Sequence, residues 1–184
     1  GKFKKANLYA VTGNKTRPTT DFLKEVIFSV IPDCYQKKTL DLYAGSGSLG
    51  LEALSRGASL SIFVDYSEKA IKTIRQNIIK LKCENDCKIY KKRVSAFIKT
   101  EPEKYDLIFM DPPYNKNLIN PTIELVFQNN LIDKNGIIIV EHSRNEYISD
   151  FWKELIIYNK IYGESAVTIL DSHNYKGLSN NETL

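Results

Sequence analysis

Between residues 39 and 54 an apolar run, a glycine turn and a second apolar run follow one another without a gap, an order few folds accept. Residues 39–43 read as a buried strand, Ala44-Gly45-Ser46-Gly47 breaks it, and residues 49–54 resume with helical spacing. Gly45, Gly47 and Gly50 satisfy a GxGxxG pattern, and Asp65 stands 20 positions beyond Gly45, where the next apolar run (60–64) closes. Glycines let a backbone approach a ligand closely, and a carboxylate at the end of the second strand can accept hydrogen bonds from ribose hydroxyls. The pattern predicts a nucleoside cofactor without saying which one. Its candidate cofactor-binding residues are Ala44, Gly45, Ser46, Gly47, Gly50, Asp65 and the adjoining Tyr66.

The alternation continues. Ser67 caps a helix whose face carries Ala70, Ile71, Ile74, Ile78 and Leu81. Strands are expected at 88–91, 105–110 and 136–141, with helical stretches near 95–99 and 118–129. Short apolar strands separated by helices specify a parallel sheet covered on both faces, a three-layer α/β fold. The end differs: 155–161 and 166–170 flank Tyr162-Gly163-Glu164, which suits an antiparallel hairpin. Ahead of the sheet, Thr19-Thr20-Asp21 offers a cap to a helix with Phe22, Val26, Ile27 and Val30 on its apolar face and Pro32 as its stop. The chain of 184 residues reads as one domain, with a basic arm at 1–18 and a polar tail from Ser172 expected to fray.

Charge is distributed unevenly. Residues 1–38 carry eight basic and three acidic side chains and residues 69–104 eleven basic and four acidic, whereas residues 141–184 carry four basic and seven acidic. If the first two segments meet, they make a basic face for a polyanion. Cys34, Cys83 and Cys87 form no CxxC pair and no even-numbered disulfide framework, which suits a reducing, cytoplasmic compartment. His142 and His173 lack metal-like grouping and read as structural or surface residues; no metal site is expected. No apolar run reaches the ~18 residues of a membrane span.

Two further features select among cofactors. Asp41 lies inside the first strand, four positions before Gly45, where it would repel a pyrophosphate but suit the ammonium of a methionine moiety, directly or through water. Asp111-Pro112-Pro113-Tyr114 follows the strand at 105–110 and so falls at the carboxyl edge of the sheet, where such folds bind ligands. A purine amine is a poor nucleophile because its lone pair is delocalised into the ring. Acceptors for its two hydrogens, here the Asp111 carboxylate and a carbonyl of Pro112 or Pro113, would turn that lone pair toward an electrophilic methyl group. The prolines offer no competing N–H, Tyr114 offers a stacking face, and Asp111 would stabilise positive charge developing on nitrogen.

Asp41-Leu42-Tyr43-Ala44-Gly45-Ser46-Gly47, Asp65, Asp111-Pro112-Pro113-Tyr114 and Thr16-Arg17-Pro18-Thr19 together resemble the bacterial RsmD-like 16S rRNA guanine-N2 methyltransferases, over nearly the whole chain. The resemblance implies a Rossmann-like class I methyltransferase fold with a mostly parallel seven-stranded sheet. It also implies S-adenosylmethionine as donor and a guanine of ribosomal RNA or the small ribosomal subunit as target, with Arg17 contacting RNA or closing over the cofactor and the chain acting as a monomer. One place departs from the family pattern: Arg93-Val94-Ser95 stands where Asp or Asn beside a small residue usually accepts from the adenine amine, and arginine accepts no hydrogen bond. Three alternatives stay open: an adenine-N6 methyltransferase, a nicotinamide-dependent oxidoreductase argued against by Asp41 and Asp111, and a non-catalytic RNA-binding protein on the same scaffold.

Overall fold

The computed structural model describes residues 1–3, 6–13, 20–31 and 33–177; Thr16, Arg17, Pro18, Thr19 and Pro32, singled out above, lie outside them. Strands β1 (Lys38–Leu42), β2 (Leu60–Asp65), β3 (Cys87–Lys91), β4 (Tyr105–Met110), β5 (Ile132–Ser143), β6 (Ile156–Tyr162) and β7 (Ser165–Asp171) form a seven-stranded sheet in the order β3-β2-β1-β4-β5-β7-β6. The first five are parallel, and β7 runs antiparallel between β5 and β6. The order reverses between β1 and β4, which opens a crevice at their carboxyl ends.

Side chains alternate across each strand and so divide the core in two. Leu40, Leu42, Ile108, Met110, Ile138 and Val140 pack under α4 (Val94–Thr100) and α5 (Ile119–Gln128). Phe63, Leu107, Phe109, Ile137 and Ile139 pack under α1 (Asp21–Val30), α2 (Ser48–Ser55) and α3 (Glu68–Leu81). Asp41 falls on the second face, toward α2, because its neighbours Leu40 and Leu42 point to the first.

Four details differ from the sequence reading. β5 begins at Ile132, which pairs with Tyr105 across an irregularity, because the exposed run Asp133-Lys134-Asn135 looks like a turn in sequence yet stays extended. A 3₁₀ turn, Asp150–Leu155, buries Trp152 against Phe127, Phe151 and Tyr175 and pushes the start of β6 to Ile156. The start of the tail is anchored: the buried Ser172 hydroxyl sits within hydrogen-bond reach of the carbonyls of Asp133, Lys134 and Gly136, at 2.7, 3.0 and 2.9 Å, and Tyr175 packs on Phe127, while residues 178–184 lie outside the described residues. In α1, capped by the Thr20 side chain, the buried face is Leu23, Ile27 and Phe28, while Phe22 is 60% exposed.

An uncharged stretch of the amino-terminal segment meets the second basic segment, while Lys4, Lys5, Lys15 and Arg17 lie outside the described residues. Residues 6–13 lie along α3: the Lys80 ammonium donates to the Asn7 carbonyl and stands over the Tyr9 ring, and Lys2 pairs with Asp86. Lys69, Lys72, Arg75 and Lys80 of α3 are exposed, as are Lys88, Lys91, Lys92 and Arg93 beyond it. Among the described residues no helix is long and apolar enough to cross a membrane.

Candidate active site

The glycine loop leaves β1 through Tyr43, a non-glycine residue in the left-handed region (φ 59°). Gly47 caps α2 at φ 79°, and a Cβ there would meet the Phe63 ring at 3.2 Å. At Gly50 the constraint is close approach: an added Cβ would lie 2.5 Å from Phe63 and 2.6 Å from Ser61 Oγ, so this glycine lets α2 rest on β2. Alanine favours a helix by ~1 kcal/mol over glycine, whereas overpacking a core costs ~1–3 kcal/mol. Phe63 and Ser61 are fully buried and have nowhere to go, so the clash wins. Gly50→Ala should therefore lower stability by about 1 to 2 kcal/mol, and Phe63→Leu in the same chain should restore part of it. A thermal unfolding midpoint raised by Gly50→Ala would contradict this packing.

Asp65 reaches the loop from the end of β2. One carboxylate oxygen accepts from the Gly45 N–H at 3.0 Å and the other from the Ser67 N–H at 2.8 Å. A carboxylate has about four lone-pair sites, so this half-buried group retains acceptor capacity for ribose hydroxyls while shaping the loop. With Gly45, Ser46 and Gly47 it forms the turn at the carboxyl end of β1. Tyr66 next to it is exposed, with the Arg93 guanidinium 5.6 Å from its ring centroid. Arg93 thus offers a cation over an aromatic face at the place where an acceptor was expected.

Asp41 sits beneath the loop, 1% exposed, and accepts from the Gly50 N–H at 3.0 Å. Its nearest task is to hold the first turn of α2 against β1. Burial pushes its pKa up to about 8, against the opposing effect of the Gly50 hydrogen bond. A carboxyl whose folded pKa exceeds its unfolded value, ~3.9, stabilises the fold most at low pH and loses that contribution as pH rises through the folded value. Stability should therefore fall between about pH 4 and pH 8, and Asp41→Asn, which can still accept from Gly50, should flatten that dependence. Identical pH dependence of thermal unfolding in the two proteins would clear Asp41 of this role.

The second loop follows β4, the immediate neighbour of β1. Leu42 and Met110 are register partners, and the Asp111 N–H donates to the Leu42 carbonyl at 3.4 Å. Two segments more than sixty residues apart in sequence therefore open side by side at the switch point. Asp111 is half-buried, Pro112 buried and Pro113 exposed. The Tyr114 phenol shares a 2.7 Å hydrogen bond with Ser165 Oγ and donates toward Glu141 Oε1 at 3.4 Å. Burial raises its pKa to about 12, so it remains a neutral donor. Tyr114 is thus more than a free stacking surface, since its hydroxyl is tied to β5 and β7.

Sequence reasoning missed several contributors. Glu141 and Ser165 hold Tyr114. Asn77, fully buried in α3, accepts from the Tyr9 N–H at 2.7 Å and donates to the Tyr9 and Ser46 carbonyls at 3.0 and 2.9 Å, joining the amino-terminal arm to the glycine loop. An amide between Ile74 and Ile78 on the buried face of the helix was the available signal. Tyr43 bonds Thr122 Oγ1 at 2.7 Å, and Thr122 donates to the Leu118 carbonyl at 2.6 Å, linking the glycine loop to the end of the second loop. His142 is a structural residue, bonded to Ser143 O and Thr168 Oγ1.

A parallel sheet with an antiparallel β7 inserted beside β5, a glycine loop after β1 and an Asp-Pro-Pro-Tyr loop after β4 define a class I methyltransferase. The family model described as Conserved hypothetical protein 95 matches residues 1–171, and the chain belongs to this family, the RsmD family. Bacillus subtilis YlbH is 35% identical over 174 residues, covering 92% of this chain and 95% of the relative. Ribosomal RNA small subunit methyltransferase D of Buchnera aphidicola subsp. Baizongia pistaciae is 34% identical over 77% of this chain and 72% of its own length. The solved structure of Escherichia coli yhhF superposes with a TM-score of 0.81 at 27% identity, covering 93% of this chain and 94% of that one.

Proposed function

We propose that this methyltransferase modifies the exocyclic N2 amine of a guanine in small-subunit ribosomal RNA, working as a monomer in the cytoplasm. The observation that carries the reading is the adjacency of the two loops across the β1–β4 switch point. On this reading the glycine loop would cradle the cofactor beside a carboxylate suited to an amine. The name of the Buchnera relative supports ribosomal RNA as the substrate, and the basic face along α3 suits its phosphates.

S-adenosylmethionine supplies an electrophilic methyl on a sulfonium. Ala44, Gly45, Ser46 and Gly47 would hold it by backbone, Asp65 by its ribose and Tyr66 by its adenine, while Asp41 and Gly50 fix the loop from beneath. Asp111 and a carbonyl of Pro112 or Pro113 accept the two amine hydrogens and aim the nitrogen lone pair at the methyl. Asp111 then offsets the positive charge that grows on nitrogen until a proton leaves. Tyr114 flanks the base with its hydroxyl anchored. Much of the rate comes from holding nitrogen and methyl carbon in line, a few ångströms apart. Arg17 remains a candidate RNA contact.

The test is incubation with methyl-labelled S-adenosylmethionine and unmethylated 16S rRNA, naked and assembled into small subunits, followed by mapping of the label. Label on one guanine N2 is expected. Label on adenine N6, or none on either substrate, would overturn the reading.

A further inference from the structure

Beside the Asp-Pro-Pro-Tyr loop lies a second recess, about 320 Å³, lined by Thr20, Phe22, Leu23, Tyr162, Gly163 and Ser165. Four observations bear on its occupant. First, the recess adjoins the target loop, because Ser165 belongs to both: its hydroxyl holds the Tyr114 phenol at 2.7 Å. Second, Phe22 sits in the first turn of α1 off the buried face and is 60% exposed. Third, its ring meets the Tyr162 ring edge to face, with centroids 5.7 Å apart and planes at 75°, and Tyr162 is held from behind through its hydroxyl by Tyr158. Fourth, among the described residues the lining contains no charged side chain, and the cation beside it, the Lys160 ammonium, stands 5.9 Å from the Tyr162 ring centroid.

The recess adjoins a site for a nucleobase and is walled by two aromatic rings, with no charged lining among the described residues. It suits a flat ring that gains from stacking. Its volume stands at the small end of the range for ligand pockets, ~300–1,000 Å³, the scale of one base. We propose that the Phe22–Tyr162 recess is a second nucleobase subsite, taking a base that neighbours the target in the RNA strand and so setting which nucleotide reaches Asp111. This inference rests on a nucleic-acid substrate and goes beyond it by assigning the residues that read the flanking strand.

The experiment is equilibrium binding of a fluorescein-labelled single-stranded RNA hexamer containing one guanine, compared with the same hexamer carrying abasic ribose on both sides of that guanine. Wild-type chain should bind the intact hexamer roughly 5- to 150-fold more tightly, the range expected for one stacked base. Phe22→Ala should erase that preference, Phe22→Tyr should keep it, and Tyr162→Leu, which preserves apolar bulk without the aromatic face, should weaken it. Because Phe22 is exposed, its variants should unfold at the wild-type temperature. Equal binding of the two hexamers by wild type, no binding of the intact one, or a preference surviving Phe22→Ala would each overturn the subsite. The binding readout does not depend on methyl transfer, so a chain that shows the Phe22-dependent preference yet methylates no rRNA would reject the proposed reaction and retain the subsite.

Discussion

Asp111→Asn is expected to reduce methyl transfer by about 10²- to 10³-fold, the usual loss when one preorganised stabilising group is removed, while leaving cofactor affinity unchanged. Asparagine keeps the size and one acceptor oxygen, so the amine could still be oriented. What disappears is the negative charge facing the nitrogen as it becomes cationic. Cofactor affinity should survive because the cradle is built from β1 and β2, whose loop is fixed by Asp65 at Gly45 and Ser67 and by Asp41 at Gly50. Tyr114→Phe separates orientation from charge: it retains the ring but releases it from Ser165 and Glu141, and should act on the KM for RNA more than on the chemical step. Calorimetry for the cofactor and single-turnover transfer at saturating RNA make the comparison. If the Asn variant transfers at the wild-type rate, Asp111 is not the catalytic carboxylate.

Asn77→Ala should be the most damaging change outside the loops. Three hydrogen bonds converge on this side chain, and all of its partners are backbone groups that cannot swing away. Each bond contributes ~1 kcal/mol net, and an orphaned buried partner costs ~1–3 kcal/mol. Water can reach Tyr9, which is half exposed, so a total loss of about 2 to 4 kcal/mol is expected rather than the full sum. For a chain of this size that lowers the unfolding midpoint by about 2–4 °C per kcal/mol. The same change frees the Ser46 carbonyl, so cofactor affinity should fall along with stability, although Asn77 lies in a helix rather than in the cradle. Asn77→Asp sharpens the test: it can accept from the Tyr9 N–H but sets a carboxylate against two carbonyls. A variant that is less stable yet binds cofactor normally would confine Asn77 to a structural role.

The glycine loop and the Asp-Pro-Pro-Tyr loop were legible in the sequence because their chemistry is local. Positive φ at Gly47, the proline pair and the apolar run leading into each loop are properties of consecutive residues, and the helix and strand periods around them set the three-layer fold. The hairpin was legible too, from two apolar runs meeting at Tyr162-Gly163-Glu164. Contacts between distant segments were not. Asp41 looks like a ligand for an ammonium group when read along the chain, but only the packing of α2 on β2 puts the Gly50 N–H against it and buries it. Tyr114 looks like a free stacking face until β7 brings Ser165 alongside, 51 residues away. Phe22 appears to be a core residue because its neighbours in sequence are, whereas α1 turns Leu23, Ile27 and Phe28 inward and leaves Phe22 outside beside Tyr162. Residue type and spacing determined which chemistry the chain could hold. The strand order, which places β4 against β1 and β7 against β5, decided which groups meet, because hydrogen bonds and packing act over a few ångströms while the partners stand tens of residues apart.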